Sequence, residues 1–356
     1  MNVSFEELSD PQRAGGVEAA TRGLVTSLAR QGVSVSRSSQ HDSILPAASD
    51  LPEVVHFHGI WSPRLAIRLQ AWRRRGVPCV VTLHGMLEPW ALAHKGRKKK
   101  VAWILYQKRL LNMVSALHAT SEREAANLRK LGLKKSVVMI PWGIDMTRRS
   151  AEKHLVRKFM PEAPSLFERR VALFVGRLYP VKGLTLLLQA WARVRPVGWK
   201  LKIVGPDEAG HRGELEAMVA QAQLGAEIEF TGALSGEALD KAYQEADLFV
   251  LPSHTENFGM VVGEALSHGL PVITTHGAPW KLLEEESCGW WIPVSVDGIA
   301  AALDDATRRS PEVLTAMGER GRAVVAERFA WDRIAGEMIA CYEWVLGRGP
   351  RPGCVR

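Results

Sequence analysis

Short runs of β-branched and other apolar residues alternate with longer helical patterns along the whole of this 356-residue sequence. The alternation is typical of parallel sheets, because each connecting helix returns the chain to the edge where the previous strand began. In the first half, strands are predicted at Asn2–Phe5, Val33–Ser36, Val54–Phe57, Cys79–Leu83, Ala116–Ala119 and Val137–Ile140. In the second half, they are predicted at Val171–Val175, Lys200–Val204, Ile228–Phe230, Asp247–Leu251, Pro271–Thr274 and Trp290–Pro293. The pattern predicts an α/β fold of two doubly wound, Rossmann-like domains.

A polar stretch separates the two sets of strands. Residues Arg148–Arg170 include two prolines, and we interpret them as a linker. We expect domains at 1–160 and 161–330, followed by a C-terminal helix and tail at 331–356 that pack back toward the first domain. Loops and helix N-termini converge at the carboxyl ends of parallel strands, so we expect a ligand site in a central cleft faced by both domains.

Composition excludes several classes of protein. Apolar residues make up 46% and charged residues 24% of the chain, as in an ordinary soluble globular protein. The four cysteines lie far apart without a C-x-x-C pair, which favours a reducing compartment over a disulfide framework or a zinc site. The longest apolar runs, such as Val101–Tyr106, are far shorter than the roughly 18 residues of a membrane-spanning helix. We therefore expect a cytoplasmic protein with neither a secretory signal nor a membrane span.

Several common motifs are missing from the sequence. Neither half has G-x-G-x-x-G after its first strand, and the chain has no G-x-x-x-x-G-K-[ST] loop and no G-x-S-x-G elbow. The sequence therefore lacks the motifs that usually indicate a dinucleotide-dependent dehydrogenase, a P-loop NTPase or an α/β-hydrolase.

The positive charge is concentrated in the first half of the chain. Residues 1–165 hold 26 Lys and Arg against 13 Asp and Glu, whereas residues 166–356 hold 20 against 25. The densest basic run continues directly into apolar and aromatic residues, a mixture that suits the surface of an anionic membrane. The residues that we assign to a membrane or acceptor surface are Arg97, Lys98, Lys99, Lys100 and Trp103. Nucleic acid is the competing partner for such charge, but no nucleic-acid-binding motif accompanies it, and we expect none to bind.

Two loops of the second half place charged residues at strand ends. Residues 176–183 (GRLYPVKG) carry Arg177 and Lys182, two cations that can hold a diphosphate. Residues 252–265 (PSHTENFGMVVGEA) pass through Glu256 and Gly259 into a helix that carries Glu264. The first N–H groups of that helix suit a phosphate, and the two carboxylates suit hydroxyl groups on either side of a diphosphate. A hydrolytic carboxylate pair is the alternative, although this spacing does not indicate a water-activating geometry.

Together these motifs resemble those of the retaining glycosyltransferases of family 4, which have the GT-B fold. The resemblance rests on GRLxxxKG, on PSxxExFG and on the spacing between Glu256 and Glu264, and it covers nearly the whole chain. Weaker matches are Gly15-Gly16 in a glycine-rich first loop, His84-Gly85, residues 118–122 (HATSE), residues 140–145 (IPWGID) and Gly232. Trp142 departs from the family pattern, which often has Asn at this position.

The resemblance implies a UDP- or GDP-sugar as the donor substrate, bound mainly by the second domain, and an acceptor bound by the first. It assigns catalytic roles to His84 near the anomeric centre, to Arg177 and Lys182 at the leaving diphosphate, and to Glu256 at the sugar hydroxyls. The donor-binding residues that it implies are Gly15, Gly16, Gly232, Asn257, Phe258, Gly259, Met260, Val261 and Glu264. Because fixed cations and helix N–H groups would stabilise the leaving charge, neither a metal nor another cofactor is expected.

The resemblance also indicates a pathway and leaves alternatives open. We expect a peripheral protein on the inner face of the plasma membrane that glycosylates a lipid-linked glycan in lipopolysaccharide or exopolysaccharide biosynthesis. The alternatives are a sugar-nucleotide epimerase of the same fold and a non-catalytic basic protein that binds lipid or nucleic acid.

Histidines and tryptophans outside these motifs have simpler interpretations. We interpret His56 and His58 as packed or hydrogen-bonded residues rather than metal ligands. Trp61, Trp90 and Trp280 are predicted in loops at strand ends, where an aromatic face can stack on a sugar.

Overall fold

The computed structural model describes residues 1–7, 16–39, 50–93, 96–146 and 169–356. The chain forms two compact units, the first made of residues 1–143 with 329–356 and the second of residues 144–328. The predicted domain boundary after residue 160 and almost all of the predicted linker lie outside the described residues, as does Gly15.

The first unit is built on a six-stranded parallel sheet of order β2-β1-β3-β4-β5-β6. Its strands are β1 (Asn2–Glu7), β2 (Ser34–Ser39), β3 (Val54–His58), β4 (Cys79–Thr82), β5 (Ala116–Ala119) and β6 (Val137–Met139). Its helices are α1 (Gly16–Arg30), α2 (Pro63–Arg74), α3 (Pro89–Ala93), α4 (Gly96–Ala102), α5 (Lys108–Leu111) and α6 (Glu122–Lys130), and α14 (Trp331–Val345) returns from the end of the chain. The helix α14 packs on α1, where the ring of Trp331 lies against Gly23.

The second unit repeats this architecture with strand order β12-β11-β10-β7-β8-β9. Its strands are β7 (Arg170–Val175), β8 (Trp199–Val204), β9 (Ile228–Gly232), β10 (Leu248–Leu251), β11 (Val272–Thr275) and β12 (Gly289–Ile292). Its helices are α7 (Leu184–Val194), α8 (His211–Gln221), α9 (Gly236–Glu245), α10 (Met260–Ser267), α11 (Leu282–Glu285), α12 (Val296–Arg308) and α13 (Pro311–Arg328).

The central strands of both sheets are buried on both faces. Every residue of β3, β4, β5, β10 and β11 is buried, which explains why these strands read as continuous apolar or β-branched runs rather than as alternating patterns. Each predicted strand overlaps an observed one, and the predicted α/β fold of two doubly wound units is confirmed. Among the described residues, no helix is both long enough and apolar enough to cross a bilayer.

The helical segment from Gly96 to Leu111, which holds the basic run and the apolar residues after it, is not uniform. Between α4 and α5, residues Trp103–Gln107 form a π-helical turn in which the N–H of Lys108 donates to the carbonyl of Trp103. The wider turn changes which side chains face inward: Gln107 is buried, whereas Ile104 and Leu105 are 72% and 73% exposed. The apolar run that seemed continuous in sequence is therefore divided between the core and the surface.

Candidate functional site

The topology of the second sheet brings two distant loops together. Strands β7 and β10 pair in parallel, with Leu248 opposite Ala172 and Phe249 opposite Leu173. From β7 the chain adds β8 and β9 on one side, and it then returns to add β10, β11 and β12 on the other side of β7. The strand order therefore reverses between the neighbouring strands β7 and β10. Ligand sites of doubly wound sheets lie at the carboxyl ends of the strands at such a switch point. The loops that follow β7 and β10 are the two in which the sequence predicts the site.

An ion pair joins these loops. Lys182 Nζ lies 2.6 Å from Glu256 Oε1, and the two side chains are only 15% and 12% exposed. The hydroxyl of Ser253 donates to the same carboxylate oxygen over 2.6 Å. The pair fixes a cation and a carboxylate at the ends of two adjacent strands, with little freedom for either side chain.

A glycine permits the close approach of the two loops. Residues Pro180–Lys182 form a 3₁₀ turn, and Gly183 follows with φ +70° as the N-cap residue before α7. A Cβ at this position would lie 2.1 Å from the carbonyl oxygen of Pro252. Gly183 is therefore required both for its left-handed backbone and for the approach of the Lys182 loop to the Glu256 loop.

The same loop leads into the N-terminus of α10. Gly259 has φ +83° and precedes Met260 and Val261, the first two residues of the helix, whose N–H groups have no acceptor within it. The indole N–H of Trp280 donates to the carbonyl of Phe258 over 2.6 Å and fixes the backbone of the loop just before α10. The helix N-terminus therefore presents N–H donors beside the ion pair, an arrangement suited to an anion.

A second carboxylate lies one turn along this helix. Glu264 is half-buried, and its Oε2 accepts the hydroxyl hydrogen of Tyr243 over 2.8 Å. Burial raises the pKa of the Glu264 carboxyl, an effect that the Tyr243 hydrogen bond opposes. The Oε1 atom has no hydrogen-bond partner among the described residues, so it is available to accept from a ligand hydroxyl.

Two other predicted donor-site residues occupy different surroundings. Arg177 forms an ion pair with Glu208 rather than with Glu256, and its side chain is 57% exposed. Gly232 ends β9 with φ +78°, and the N–H of Gly205 donates to its carbonyl over 2.8 Å. The structure therefore brings Lys182, Glu256 and the start of α10 together and leaves Arg177 on the neighbouring surface.

In the first unit, the predicted catalytic histidine lies among aromatic rings at the strand ends. His84 follows β4 with φ +50°, and Trp142 stacks on it at 5.5 Å with 11° between the ring planes. Its Nε2 lies 3.2 Å from Nδ1 of His58, which comes from the end of β3. Burial, reinforced by His118, lowers the pKa of His84 to about 3, so its ring is neutral near pH 7. Trp142, the departure from the family pattern, is therefore the residue that orients His84.

A directed chain of hydrogen bonds lies beneath this histidine. His118 Nε2 is 2.7 Å from the carbonyl oxygen of Ile140, which can only accept, so His118 donates there and its Nδ1 accepts from Thr82. The Thr82 oxygen then accepts from His56 Nε2, and His56 Nδ1 accepts the hydroxyl hydrogen of Tyr342, with 2.7 Å at each link. His56 is packed and hydrogen-bonded as predicted. None of the described residues forms a group of three or more His, Cys, Asp or Glu side chains that could hold a metal ion.

Replacing Tyr342 with Phe is expected to destabilise the first unit by about 1–3 kcal/mol, because His56 Nδ1 then remains buried without a donor. Tyr106→Phe is the control, since that half-buried hydroxyl donates to the Trp61 carbonyl over 3.3 Å and its loss is expected to cost under about 1 kcal/mol. Urea unfolding measures both changes. Equal stabilities of the two variants would contradict the hydrogen-bond chain.

The predicted basic surface is only partly exposed. Arg97, Lys98 and Lys100 face solvent. Lys99 instead donates to the carbonyl of Ala91 and lies over the ring of Trp61, and Trp103 packs with that ring against the core. Lys99 and Trp103 are therefore half-buried, with contacts inside the described part of the first unit that Arg97, Lys98 and Lys100 lack.

Several residues that support the site were not predicted. Tyr243 donates to Glu264, and Ser253, which stands in a quoted motif without an assigned role, donates to Glu256. A single Tyr or Ser in a sequence carries no signal of its hydrogen-bond partner. Trp280 is only 1% exposed, so the prediction that it stacks on a sugar is wrong. Its indole instead positions the backbone of Phe258.

Comparisons with known families agree with this geometry. Residues 157–324 match the family model described as glycosyl transferases group 1, and residues 42–143 match a glycosyl transferase 4-like domain. A GDP-mannose-dependent alpha-mannosyltransferase of Mycolicibacterium smegmatis is 31% identical over 83% of this chain and 75% of its own length. A GDP-mannose:cellobiosyl-diphosphopolyprenol alpha-mannosyltransferase of Xanthomonas campestris is 28% identical over 89% of this chain and 82% of its own.

Solved structures show the same fold. Sucrose-phosphate synthase from Thermosynechococcus elongatus superposes with a TM-score of 0.77 at 20% identity, over 98% of this chain and 99% of that one. Anabaena Alr3699/HepE in complex with UDP and glucose gives 0.74 at 19% identity, over 97% and 100%. The fold and the site thus define a glycosyltransferase of the GT-B class. Within that class, the chain belongs to the family 4 glycosyltransferases, as its sequence motifs predict.

Proposed function

We propose that this glycosyltransferase is a retaining enzyme that moves a sugar from a UDP- or GDP-sugar to a lipid-linked or surface glycan. The donor binds at the second unit, with its diphosphate beside Lys182 and the N-terminus of α10. Relatives named for GDP-mannose and a structural neighbour that holds UDP and glucose support both donor classes. Glu256 binds hydroxyls of the donor sugar, and the unpartnered oxygen of Glu264 accepts from the ribose. His84, in the first unit, contacts the transferred sugar as a neutral ring.

The chemistry follows from where charge develops. As the glycosidic bond breaks, negative charge grows on the leaving diphosphate, and groups that are already oriented stabilise it without reorganising. Lys182 is held by Glu256 and the α10 N–H groups by the backbone, so both are fixed before the donor arrives. Arg177 reaches the diphosphate by exchanging its exposed partner Glu208, a contact of little energetic value at a surface. We assign the charge compensation to these groups, and the transfer rate is expected to be unchanged by EDTA.

The observation that carries this proposal is the 2.6 Å contact between Lys182 and Glu256 at the switch point of the second sheet. A structural ion pair alone would not need the start of a helix and a left-handed glycine beside it. The combination provides a cation, hydroxyl acceptors and N–H donors within one set of loops.

Thermal unfolding in the presence of single nucleotide sugars tests the donor assignment. A UDP- or GDP-sugar at about 100 times its dissociation constant is expected to add about 2.7 kcal/mol of stability. The free sugar at the same concentration is the control and is expected to add nothing. Absence of a shift with every UDP- and GDP-sugar would contradict the donor site.

The reaction itself is tested by incubating the preferred donor with and without a polyprenyl-diphosphate glycan. Transfer that requires the glycan, with the anomeric configuration of the donor retained in the product by NMR, is the expected result. Isomerised donor formed without the glycan would identify an epimerase instead. An inverted product would overturn the retaining mechanism.

We further propose that the first unit rests on the inner face of the plasma membrane. Arg97, Lys98 and Lys100 of α4 provide cations, and the exposed Ile104 and Leu105 of the π-helical turn provide an apolar edge. An interfacial segment needs both, because the cations meet anionic headgroups while the apolar side chains enter the acyl boundary.

Replacing Arg97, Lys98 and Lys100 together with Gln is expected to weaken binding to anionic vesicles about a hundredfold, since each cation near such a surface contributes about 1 kcal/mol. The control replaces Arg193, Lys241 and Lys281, exposed cations of the second unit, so that the net charge falls by the same amount. Vesicle cosedimentation measures both variants. Equal loss in the two would show that overall charge, not this surface, attracts the protein.

A further inference from the structure

An arginine-lined cavity opens beside this surface. It has a volume of about 390 Å³ and lies between the last turn of α2 and the segment from the π-helical turn through α5. Arg73 and Arg74 line it from α2, and Arg109 lines it from α5. Its size falls within the range of small-molecule sites, and three cations from two separate helices face the same space.

The charge in this cavity is not compensated within the described part of the first unit. The side chains of Arg73, Arg74 and Arg109 have no hydrogen bond or ion pair to any described residue, and no Asp or Glu is among the described residues that line the cavity. Exposed arginines elsewhere in the unit do find partners, as Arg22 does with Glu18. Cations at the end of α2 also complement its helix dipole, but that role does not require Arg109 from another helix.

The remaining walls divide into a polar and an apolar side. Gln70 and the half-buried Tyr106 add hydrogen-bonding groups to the cavity, while Leu110 and Met113 form an apolar wall. Guanidinium groups bind phosphate oxygens in pairs, and amide and phenol groups can complete the hydrogen bonding of a phosphate ester. The lining therefore suits a phosphate that is attached to an apolar body.

The apolar wall continues onto the protein surface. Leu105 both lines the cavity and is 73% exposed, and Ile104 beside it is 72% exposed. On the facing helix, Ile67 is 67% exposed and lies on the same stripe as Gln70 and Arg74, three and seven residues further on. A phosphate seated among the arginines would thus have exposed aliphatic side chains on both sides of the entrance.

We propose that this cavity, lined by Arg73, Arg74 and Arg109, binds the phosphate of a membrane lipid, with the hydrocarbon chains along Ile67, Ile104 and Leu105. The inference rests on the proposed membrane association and adds a specific headgroup site to it. The ligand chemistry is a lipid phosphate, which a phospholipid or a polyprenyl phosphate can supply. Its recognition differs from attraction to surface charge alone, because three guanidinium groups with Gln70 and Tyr106 can hydrogen-bond all the free oxygens of a phosphate, whereas a carboxylate offers only two.

Vesicles of two kinds separate these possibilities. One contains phosphatidic acid and the other contains oleate, adjusted to the same surface potential in a phosphatidylcholine background. The full-length protein is expected to bind the phosphatidic acid vesicles about tenfold more tightly, because hydrogen bonds to a charged group are among the stronger ones. Equal binding to both vesicles would overturn the headgroup site while leaving membrane association intact. Failure to bind either would overturn both.

Matched variants then locate the selectivity. The double variant Arg73→Gln with Arg109→Gln is expected to lose the preference for phosphatidic acid vesicles. The double variant Arg97→Gln with Lys98→Gln is expected to bind both kinds of vesicle more weakly, by the same factor, and to keep the preference. Arg73→Lys with Arg109→Lys retains the charge but loses the paired donors, so it should bind both vesicles alike. Thermal unfolding confirms that each variant is folded. A preference that survives in both Arg73/Arg109 variants would refute the proposal.

Two further binding experiments identify the molecule that supplies the phosphate. Vesicles that carry polyprenyl phosphate instead of phosphatidic acid test the acceptor type of lipid, and glycerol phosphate added in solution tests the headgroup without its chains. We expect glycerol phosphate to compete only at concentrations far above those of the lipid. It has no hydrocarbon chains, so the exposed aliphatic residues cannot add to its binding. Binding of glycerol phosphate as tight as that of the lipid would remove the membrane from the proposal.

Discussion

Replacing Lys182 with Met is expected to lower the rate of sugar transfer by roughly 100- to 1,000-fold and to leave the fold intact. The expected loss is that of one preorganised group aimed at charge that develops in the transition state. Lys182 qualifies because it is 15% exposed, is oriented by Glu256 over 2.6 Å and lies beside the N–H groups that begin α10. Methionine keeps the length and apolar stem of the side chain, so the change removes the charge more than the packing.

A second lysine of the same unit provides a close control. Lys202 is 13% exposed and pairs with Glu245 over 3.0 Å, but it lies on β8 away from the predicted loops. Lys202→Met therefore removes a lysine of similar burial and similar pairing and is expected to leave the transfer rate near that of the wild type. The measurement is kcat with saturating donor and acceptor. A rate for Lys182→Met equal to that for Lys202→Met would remove Lys182 from the reaction.

Replacing Gly183 with Ala is expected to destabilise the second unit by about 2–5 kcal/mol, because the alanine would be left-handed and its Cβ would overpack the loop. Its Cβ would lie 2.1 Å from the Pro252 carbonyl oxygen and 2.9 Å from the Pro252 carbonyl carbon, which are backbone atoms and not the end of a flexible side chain. The same displacement would separate Lys182 from Glu256, so transfer is expected to fall together with stability.

Gly210 isolates the contribution of the contact. It precedes α8 with φ +76°, close to the +70° of Gly183, but nothing lies within 4 Å of the Cβ position. Gly210→Ala therefore carries only the cost of a left-handed alanine, about 1–2 kcal/mol. Urea unfolding of the two variants gives the difference, and equal stabilities would show that the loops adjust without cost.

The parts of the fold that follow from local chemistry were predictable from the sequence. Buried parallel strands read as continuous apolar runs, and Ser121 followed three residues later by Glu124 is the capping signal of the helix that begins at Glu122. Lys182 and Glu256 were predicted singly, through the motifs that contain them. Their contact depends on the pairing of β7 with β10, strands separated by more than seventy residues in the sequence. The two residues could therefore be predicted from their motifs, but their contact with each other could not.

Predictions failed where packing decides between two uses of one residue type. Trp280 resembles an exposed aromatic in its loop setting, but it is 1% exposed and its ring fills space in the core. Trp103 is half-buried and packs one side of its ring against the core of the first unit. The π-helical turn at Trp103–Gln107 has no local signal in the sequence, and within it Gln107 is buried whereas Ile104 and Leu105 are exposed. Arg177 lies in a family motif, yet its partner Glu208 comes from the loop after β8.

The discontinuity of the first unit has a consequence for synthesis. Residues 144–328 leave the ribosome as one uninterrupted stretch and can fold at once, whereas the unit that starts the chain is completed only by residues 329–356. Until then, His56 lacks the Tyr342 hydroxyl, and the small surfaces at Gly23 and Gly143 lack the indole of Trp331. A nascent chain thus carries an unfinished apolar face throughout translation of its second half, and a premature stop before Trp331 would leave that face permanently open to chaperones and proteases.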